Sequence, residues 1–335
     1  MTCASRLGWR IESDEQNVMQ TAYHILVASS ADLLAQEKGD IWDSGKIESD
    51  ASQWIAYQGK PLKRNARYYW KVKVYTNRGE ADWSAPAFWS MGLLNEADWQ
   101  GQWIGLDRAA SGDSETQWSR LAARYLRKEF ALSKEVKRAT VHIAGMGLYE
   151  LFINGQRIGD QVLAPAPTDY RKTILYNTYD VTPQLRKENA IGVTLGNGRF
   201  YTMRQNYKPY KIPTFGYPKL RLNLIVEYMD GSKETIATNT SWKLTTEGAI
   251  RSNNEYDGEE YDARKELGNW TQSGYDDKSW IAAQRVSIPS GTLRAQIMPG
   301  MKVMDTLKPV SIQKLGDKYI LDFGQNMAGW GRVRL

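Results

Sequence analysis

The sequence predicts a mainly β chain built from successive sandwiches, and three observations carry that prediction. Leu148 to Ile153 alternates strictly and runs into Asn154-Gly155. That pair is the strongest short hairpin signal, because a type I′ turn needs positive φ at both central residues. Arg67 to Tyr75 (RYYWKVKVY) reads as an antiparallel strand with one apolar and one basic-aromatic face. Only Ala31 to Lys38 could form a helix, and it is short. With 335 residues, two or three domains are expected.

Taken in order, Asn17 to Ser29 forms a first strand, with Ala22, His24 and Leu26 alternating against Tyr23, Ile25 and Val27. Ile41 to Lys46 is a strand ending in a turn, and Asn77 to Glu80 reverses the strand that begins at Arg67. Trp83-Ser84 with Phe88-Trp89 reads as one closing strand. Short, evenly spaced strands without intervening helices imply an immunoglobulin/fibronectin-III-like sandwich of about 100 residues. Leu93 to Trp103 reads as a linker that packs Trp99 and Trp103 against a neighbour.

Strands resume at Arg124 to Phe130 and Lys137 to Ile143. After the Asn-Gly hairpin and its short return strand, Gln156 to Gly159, come a Pro165/Pro167 loop and the strands Thr173 to Tyr179 and Ala190 to Leu195. Arg199 to Tyr217 is long, aromatic and broken by Pro209 and Pro213, the kind of loop that is usually functional or disordered. Leu220 to Tyr228 and Glu234 to Thr238 are joined by a second hairpin signal, Asp230-Gly231. Trp242 to Thr246 is short, an acidic run follows over 254–262, and Asp276 to Trp280 closes in a turn with an aromatic plug. Tyr319 to Leu335 starts a strand and stops inside another strand-like run, as the cut beginning of a further domain.

Composition excludes several functions. The net charge is +6, yet no basic run exceeds two residues, so nucleic acid is not an expected partner. A membrane partner is not expected either, since no segment approaches membrane-spanning length. The single Cys3 rules out an internal disulfide framework and a cysteine zinc site. A periplasmic or secreted location follows if a leader was removed before this numbering begins, and a cytoplasmic one otherwise. The 13 Trp and 19 Tyr against 6 Phe suit half-wet sheet positions, and also the platforms on which sugar rings stack. His24 and His142 fall inside strand patterns, which favours core or sheet-face positions over metal ligation.

Several segments, in order, resemble the N-terminal part of bacterial α-L-rhamnosidases, glycoside hydrolases that release terminal L-rhamnose. They are YYWKVKVYTNRGEADWSAPAFWSMGLL with ADWQGQWIG, LFINGQRIGDQVLAPAPTDYRKTILYNTYDVTPQL, GVTLGNGRFY, NEYDGEEYDAR with DDKSW, and YILDFGQNMAGWGRVRL. One departure is Arg199-Phe200-Tyr201, where the family commonly has Gly-Trp-Tyr after the LGNG strand. The resemblance implies an immunoglobulin-like module (1–95), a linker (96–118), a jelly-roll, galactose-binding-like module (119–299) and the truncated start of a further β-sandwich (300–335). It also implies that the inverting acid and base sit in a C-terminal α/α-barrel absent from these residues. The expected partners are then a rhamnose-containing glycan and that missing catalytic domain. The alternative is a stand-alone carbohydrate-binding or adhesion module without hydrolase activity.

Inverting hydrolysis needs two carboxyl groups roughly 6.5–9.5 Å apart, one protonated and one ionised. Asp257, Glu259, Glu260 and Asp262 are the obvious pool, and residues two apart on a strand are about 7 Å apart. Nothing in the sequence separates their pKa values, so the run reads as a solvated acidic turn and no catalytic residue is assigned. In some members of the family the jelly roll binds rhamnose with the help of calcium. The residues to test here are Asn154, Asp169, Asn197 and Asn206 for polar contacts, with Glu259 and Asp262 as calcium ligands. Tyr207 and Tyr210 are the candidate stacking platforms, while turn geometry alone accounts for Asn154-Gly155 and Asn197-Gly198. No cofactor is required by this reading, and calcium is the one candidate ion.

Overall fold

A computed structural model describes residues 6–109, 121–201, 215–255, 258–288 and 290–332. The first module is a sheet in which Gln20–Ala28 lies between Trp42–Glu48 and Arg67–Thr76. Its alternation buries both faces. Tyr23, Ile25 and Val27 meet Trp42, Tyr68, Val72 and Val74. Leu26 and Ala28 are covered by Leu34 of the short helix Ala31–Ala35, which Ser30 caps by accepting from the Leu33 amide.

The stretch read as one closing strand is two, Gly79–Trp83 and Ala87–Ser90, which pair with successive halves of Arg67–Thr76. Pro86 lies between them and has no N–H to continue a ladder. Ser84 bridges the break: its amide donates to Val72 O, and its hydroxyl accepts from Val72 N.

The second module is a two-sheet sandwich. One sheet runs in the order Gln284–Arg285, Ile104–Gly105, Lys219–Tyr228, Val136–Met146, Thr173–Asp180 and Thr292–Ala295, with Lys233–Ala237 added to Lys219–Tyr228. The other runs Gln156–Arg157, Leu148–Ile153, Glu188–Gly196, Arg124–Ala131, Lys243–Thr245 and Ile281–Ala282. Between them lies an apolar layer that includes Val141, Ile143, Leu222, Leu224, Leu151, Ile191, Val193 and Trp242. Gly147 is where the chain passes from one sheet to the other. Its φ is +116°, and a Cβ there would collide with the Gly196 carbonyl oxygen, so only glycine allows the crossing.

Both outer faces of the sandwich are also covered. On one, Leu93, Trp99 and Trp103 pack on Ala144, Met146, Ile174 and Tyr176. The stretch expected to be a linker from residue 96 therefore belongs in part to the sandwich, since Ile104–Gly105 is a strand of its sheet. On the other face, Trp270 and Trp280 cover Tyr125 and Phe152. Thr292–Ala295 lies parallel to Thr173–Tyr176 and closes that edge. Beyond it, Ser311–Leu315 and Lys318–Asp322 form a two-stranded hairpin. Ile312, Leu315, Tyr319, Ile320 and Leu321 are exposed on it.

Candidate functional site

The described predicted site residues divide between the two ends of the second sandwich. Leu148 is paired with Gly196 and Ile153 with Ile191, so Asn197 and Asn154 follow opposite ends of one strand pair. A six-residue strand separates them by about 20 Å, too far for one monosaccharide to touch both. Asn154 has φ +51° and Gly155 +84°, as the type I′ turn requires. The Asn154 amide is fully engaged: Nδ2 donates to Gln184 O (2.8 Å) and Asn189 Oδ1 (2.9 Å), and Oδ1 accepts from Ala190 N (2.9 Å). It ties the hairpin to the start of the neighbouring strand. Asn154→Ala is expected to lower unfolding free energy by about 1–2 kcal/mol, with Asn154→Gly costing less because glycine keeps the positive φ. Chemical denaturation of both variants checks this, and equal losses would show that the φ angle contributes nothing.

At the other end, Asn197 is only 2% exposed. Its Nδ2 donates to Leu121 O (3.1 Å) and Asn253 O (2.6 Å), and its own amide N donates to Asn253 Oδ1 (2.6 Å). The Asn197 Oδ1 and Asn253 Nδ2 atoms are buried and without a hydrogen-bond partner among the described residues. Asn253 is paired in register with Glu259, so the LGNG end and the acidic run are brought together. Arg199 adds a bidentate ion pair to Glu255, both contacts at 2.9 Å. Tyr201 and Tyr217 stack at 5.8 Å. Close by in the fold, Tyr170 packs edge-on against Phe200 and Phe215, which stack on each other. Asn206, Tyr207 and Tyr210 lie outside the described residues.

The candidate carboxylates sit in unlike surroundings. Asp169 accepts from the Arg171 amide and guanidinium, which hold its carboxyl below the usual range. Asp262 caps the single turn Ala263–Lys265 and is doubly bonded to Arg264, which lowers it to about 2. Glu259, on an exposed strand, is raised by partial desolvation and by the neighbouring Glu150. Glu150 is itself paired with Arg157 at 3.0 Å. Among the described residues no group of three or more His, Cys, Asp or Glu side chains is placed to hold a metal ion. Glu259 and Asp262 thus have no third such partner there for calcium.

Two constellations were invisible in the sequence. The first is the seam between the modules. Asn65, with φ +52°, donates from Nδ2 to Glu227 (3.3 Å), and its carbonyl accepts from Arg138. Its Oδ1 therefore accepts from Nε2 of His142 (3.1 Å), whose Nδ1 faces the Thr178 hydroxyl at 3.0 Å. Arg67 reaches across to Asp180 at 2.8 Å, and the Tyr176 hydroxyl donates to Leu93 O at 2.7 Å. The second is Arg127, 1% exposed, which bonds Trp270 O, Gln272 O, Glu129 and Asp277. Neither had a local signal, because each joins residues more than 70 positions apart.

The sequence pattern described as the alpha-L-rhamnosidase N-terminal domain matches residues 134–305, just over half of the chain. The chain belongs to this α-L-rhamnosidase family. A second pattern, the Rha78A-like N-terminal immunoglobulin domain, matches residues 2–95. An alpha-L-rhamnosidase of Formosa agariphila is 40% identical over 98% of this chain, and one of Alteromonas sp. is 33% identical over 98%. The chain spans 36% of the length of each of these relatives. Among solved structures, the alpha-L-rhamnosidase from Dictyoglumus thermophilum superposes with a TM-score of 0.84 at 39% identity. It covers 95% of this chain, which covers 36% of it. The Aspergillus terreus enzyme gives 0.83 at 31% identity, over 97% of this chain and 37% of its own.

Proposed function

We propose that this chain is the N-terminal accessory region of an α-L-rhamnosidase that hydrolyses terminal α-L-rhamnosides by inversion. The observation that carries the reading is the joint match of the two modules, in order, to the N-terminal patterns of that family. The site chemistry agrees with an accessory role. Inversion needs a protonated acid beside an ionised base, and Asp169 and Asp262, both held ionised by arginine, cannot serve as that acid. The acid and base would then come from sequence outside these 335 residues.

The exposed hairpin Ser311–Leu315 and Lys318–Asp322 supports the same reading. An isolated two-stranded hairpin is marginal in water, and apolar exposure on this scale marks a surface that another element covers. In the enzyme this surface would receive further strands that lead on to the catalytic domain. The polar seam between the first two modules would hold them as one support for the catalytic domain, whose substrate would be a rhamnose-containing glycan.

The test is turnover of an aryl α-L-rhamnoside. The 335-residue chain alone is expected to release no aryl alcohol, whereas a protein extended by a catalytic domain turns over. Robust turnover by the 335-residue chain would overturn the accessory role. Inactivity of the extended protein on every α-L-rhamnoside tried would overturn the activity.

A further inference from the structure

At the end of the second sandwich that carries Asn154, the turn 132–136 and the segment 182–187 enclose a cleft of about 460 Å³. Its walls are held together by two bonds, Leu132 N to Lys187 O (2.8 Å) and Ala139 N to the Thr182 hydroxyl (2.9 Å). Leu132, Val136 and Leu185 give it an apolar lining, and Lys134, Arg186 and Lys187 supply positive charge. The volume lies within the range of small-ligand sites.

The charge is only partly neutralised. Lys134 is held by Asp230 (2.8 Å) and Ser232 (2.9 Å). Arg186 and Lys187 have no carboxylate within ion-pair distance among the described residues. Glu135 and Glu188, their neighbours in sequence, do not line the cleft. Asp180 is already engaged, accepting from Thr182 on one oxygen (2.7 Å) and from Arg67 of the first module on the other (2.8 Å). That link places the cleft beside the junction of the two modules, a common position for ligand sites. Arg67 also lies over the exposed Phe88 ring, 4.8 Å from its centroid.

An apolar lining with two unmatched cations suits a ligand with a weakly polar ring face and an anionic substituent. We propose that the cleft is a subsite for an acidic sugar unit, a saccharide residue bearing a carboxylate or a sulfate ester. Arg186 and Lys187 meet the anion, and Leu132, Val136 and Leu185 meet the ring. That the ligand is a saccharide rests on the function proposed above; that it is anionic rests on the cleft alone.

The test is titration calorimetry on the 335-residue chain with a glucuronyl-rhamnose disaccharide, a sulfated rhamnose, the neutral glucosyl-rhamnose disaccharide and sodium sulfate. At least one acidic sugar is expected to bind about tenfold or more tightly than the neutral one, as charge-assisted hydrogen bonds require. Arg186→Ala with Lys187→Ala should remove that advantage while thermal melting stays as in the parent chain. Raising salt from about 0.05 to 0.5 M should shrink the advantage too. Equal affinity for all the sugars, or an acidic preference that survives the double variant, would overturn the subsite. Sulfate alone competing as well as the acidic sugars would reduce it to an anion site and overturn the sugar assignment. Because the readout is binding and not turnover, it fails or succeeds separately from rhamnoside hydrolysis.

Discussion

Replacing Arg127 with alanine is expected to lower folding stability by about 3–5 kcal/mol, the range for removing one partner from a buried charge network. The guanidinium sits beneath the segment that covers the outer face of the second sandwich. It bonds Trp270 O at 2.9 Å and Gln272 O at 3.0 Å, pairs with Glu129 and Asp277, and lies 5.3 Å from the Tyr275 ring centroid. Alanine would leave two backbone carbonyls unpaired and a void beneath Trp270 and Trp280, which otherwise pack on Tyr125 and Phe152. Arg127→Met is the informative companion. It refills much of the volume, and Glu129 and Asp277 are 38% and 25% exposed at the side chain, so water can solvate them. Its cost should therefore fall to about 1–2 kcal/mol. Denaturation followed by tryptophan fluorescence reads both variants. A loss below about 1 kcal/mol for Arg127→Ala would show that the network is not what holds the cover.

The second large effect concerns acid. His142 is fully buried at the seam between Asn65 and Thr178, with Trp99 and Tyr176 edge-on to its ring. Burial, aided by the positive charge of Arg138, brings its pKa down to about 4. The bonding requires the neutral ring: Asn65 Oδ1 accepts from Nε2–H, which leaves Nδ1 to accept from Thr178. In the unfolded chain the imidazole takes a proton near pH 6.5. The unfolded state thus binds more protons between about pH 6.5 and 4, and stability falls as pH falls through that window. The loss should reach roughly 3 kcal/mol by the lower limit. Glu227 and Asp180, both held in the ionised form at this seam, add acid sensitivity at lower pH. His142→Gln is expected to be less stable than the parent at pH 7 and to show a flatter profile between pH 6.5 and 4. Parallel profiles for the two proteins would mean that His142 does not carry the acid sensitivity. Because Asn65 belongs to the first module, an early loss of its contacts with the second at low pH is a further expected sign.

Much of the fold could be read directly. Tyr149, Leu151 and Ile153 point inward and Glu150 outward, as their alternation required, and Asn154-Gly155 and Gly231 turn where the hairpin signals stood. The joining of Trp83 and Phe88 into one strand failed because pairing follows available N–H groups, and Pro86 has none. The linker reading failed in part for a related reason. Trp99 and Trp103 were expected to pack on a neighbour, but Ile104 also enters the apolar layer between the sheets, and Ile104–Gly105 pairs with Lys219–Leu220 as a strand.

The candidate site was less legible. Sequence placed Asn154 and Asn197 in one set of polar-contact candidates, although turn geometry accounted for both, whereas strand pairing puts them at opposite ends of the sandwich. By itself, the sequence determined most of the long strands, their inward faces, the Asn-Gly and Asp-Gly turns and the family, because alternation, positive-φ turns and motif order are properties of neighbouring residues. The tertiary structure alone decided that His142 bridges two modules, that Arg127 fastens a distant cover, and that Arg186 and Lys187 line a cleft. Those facts depend on strand order and register, which are settled by contacts between residues far apart in the chain, where no local pattern records the partner.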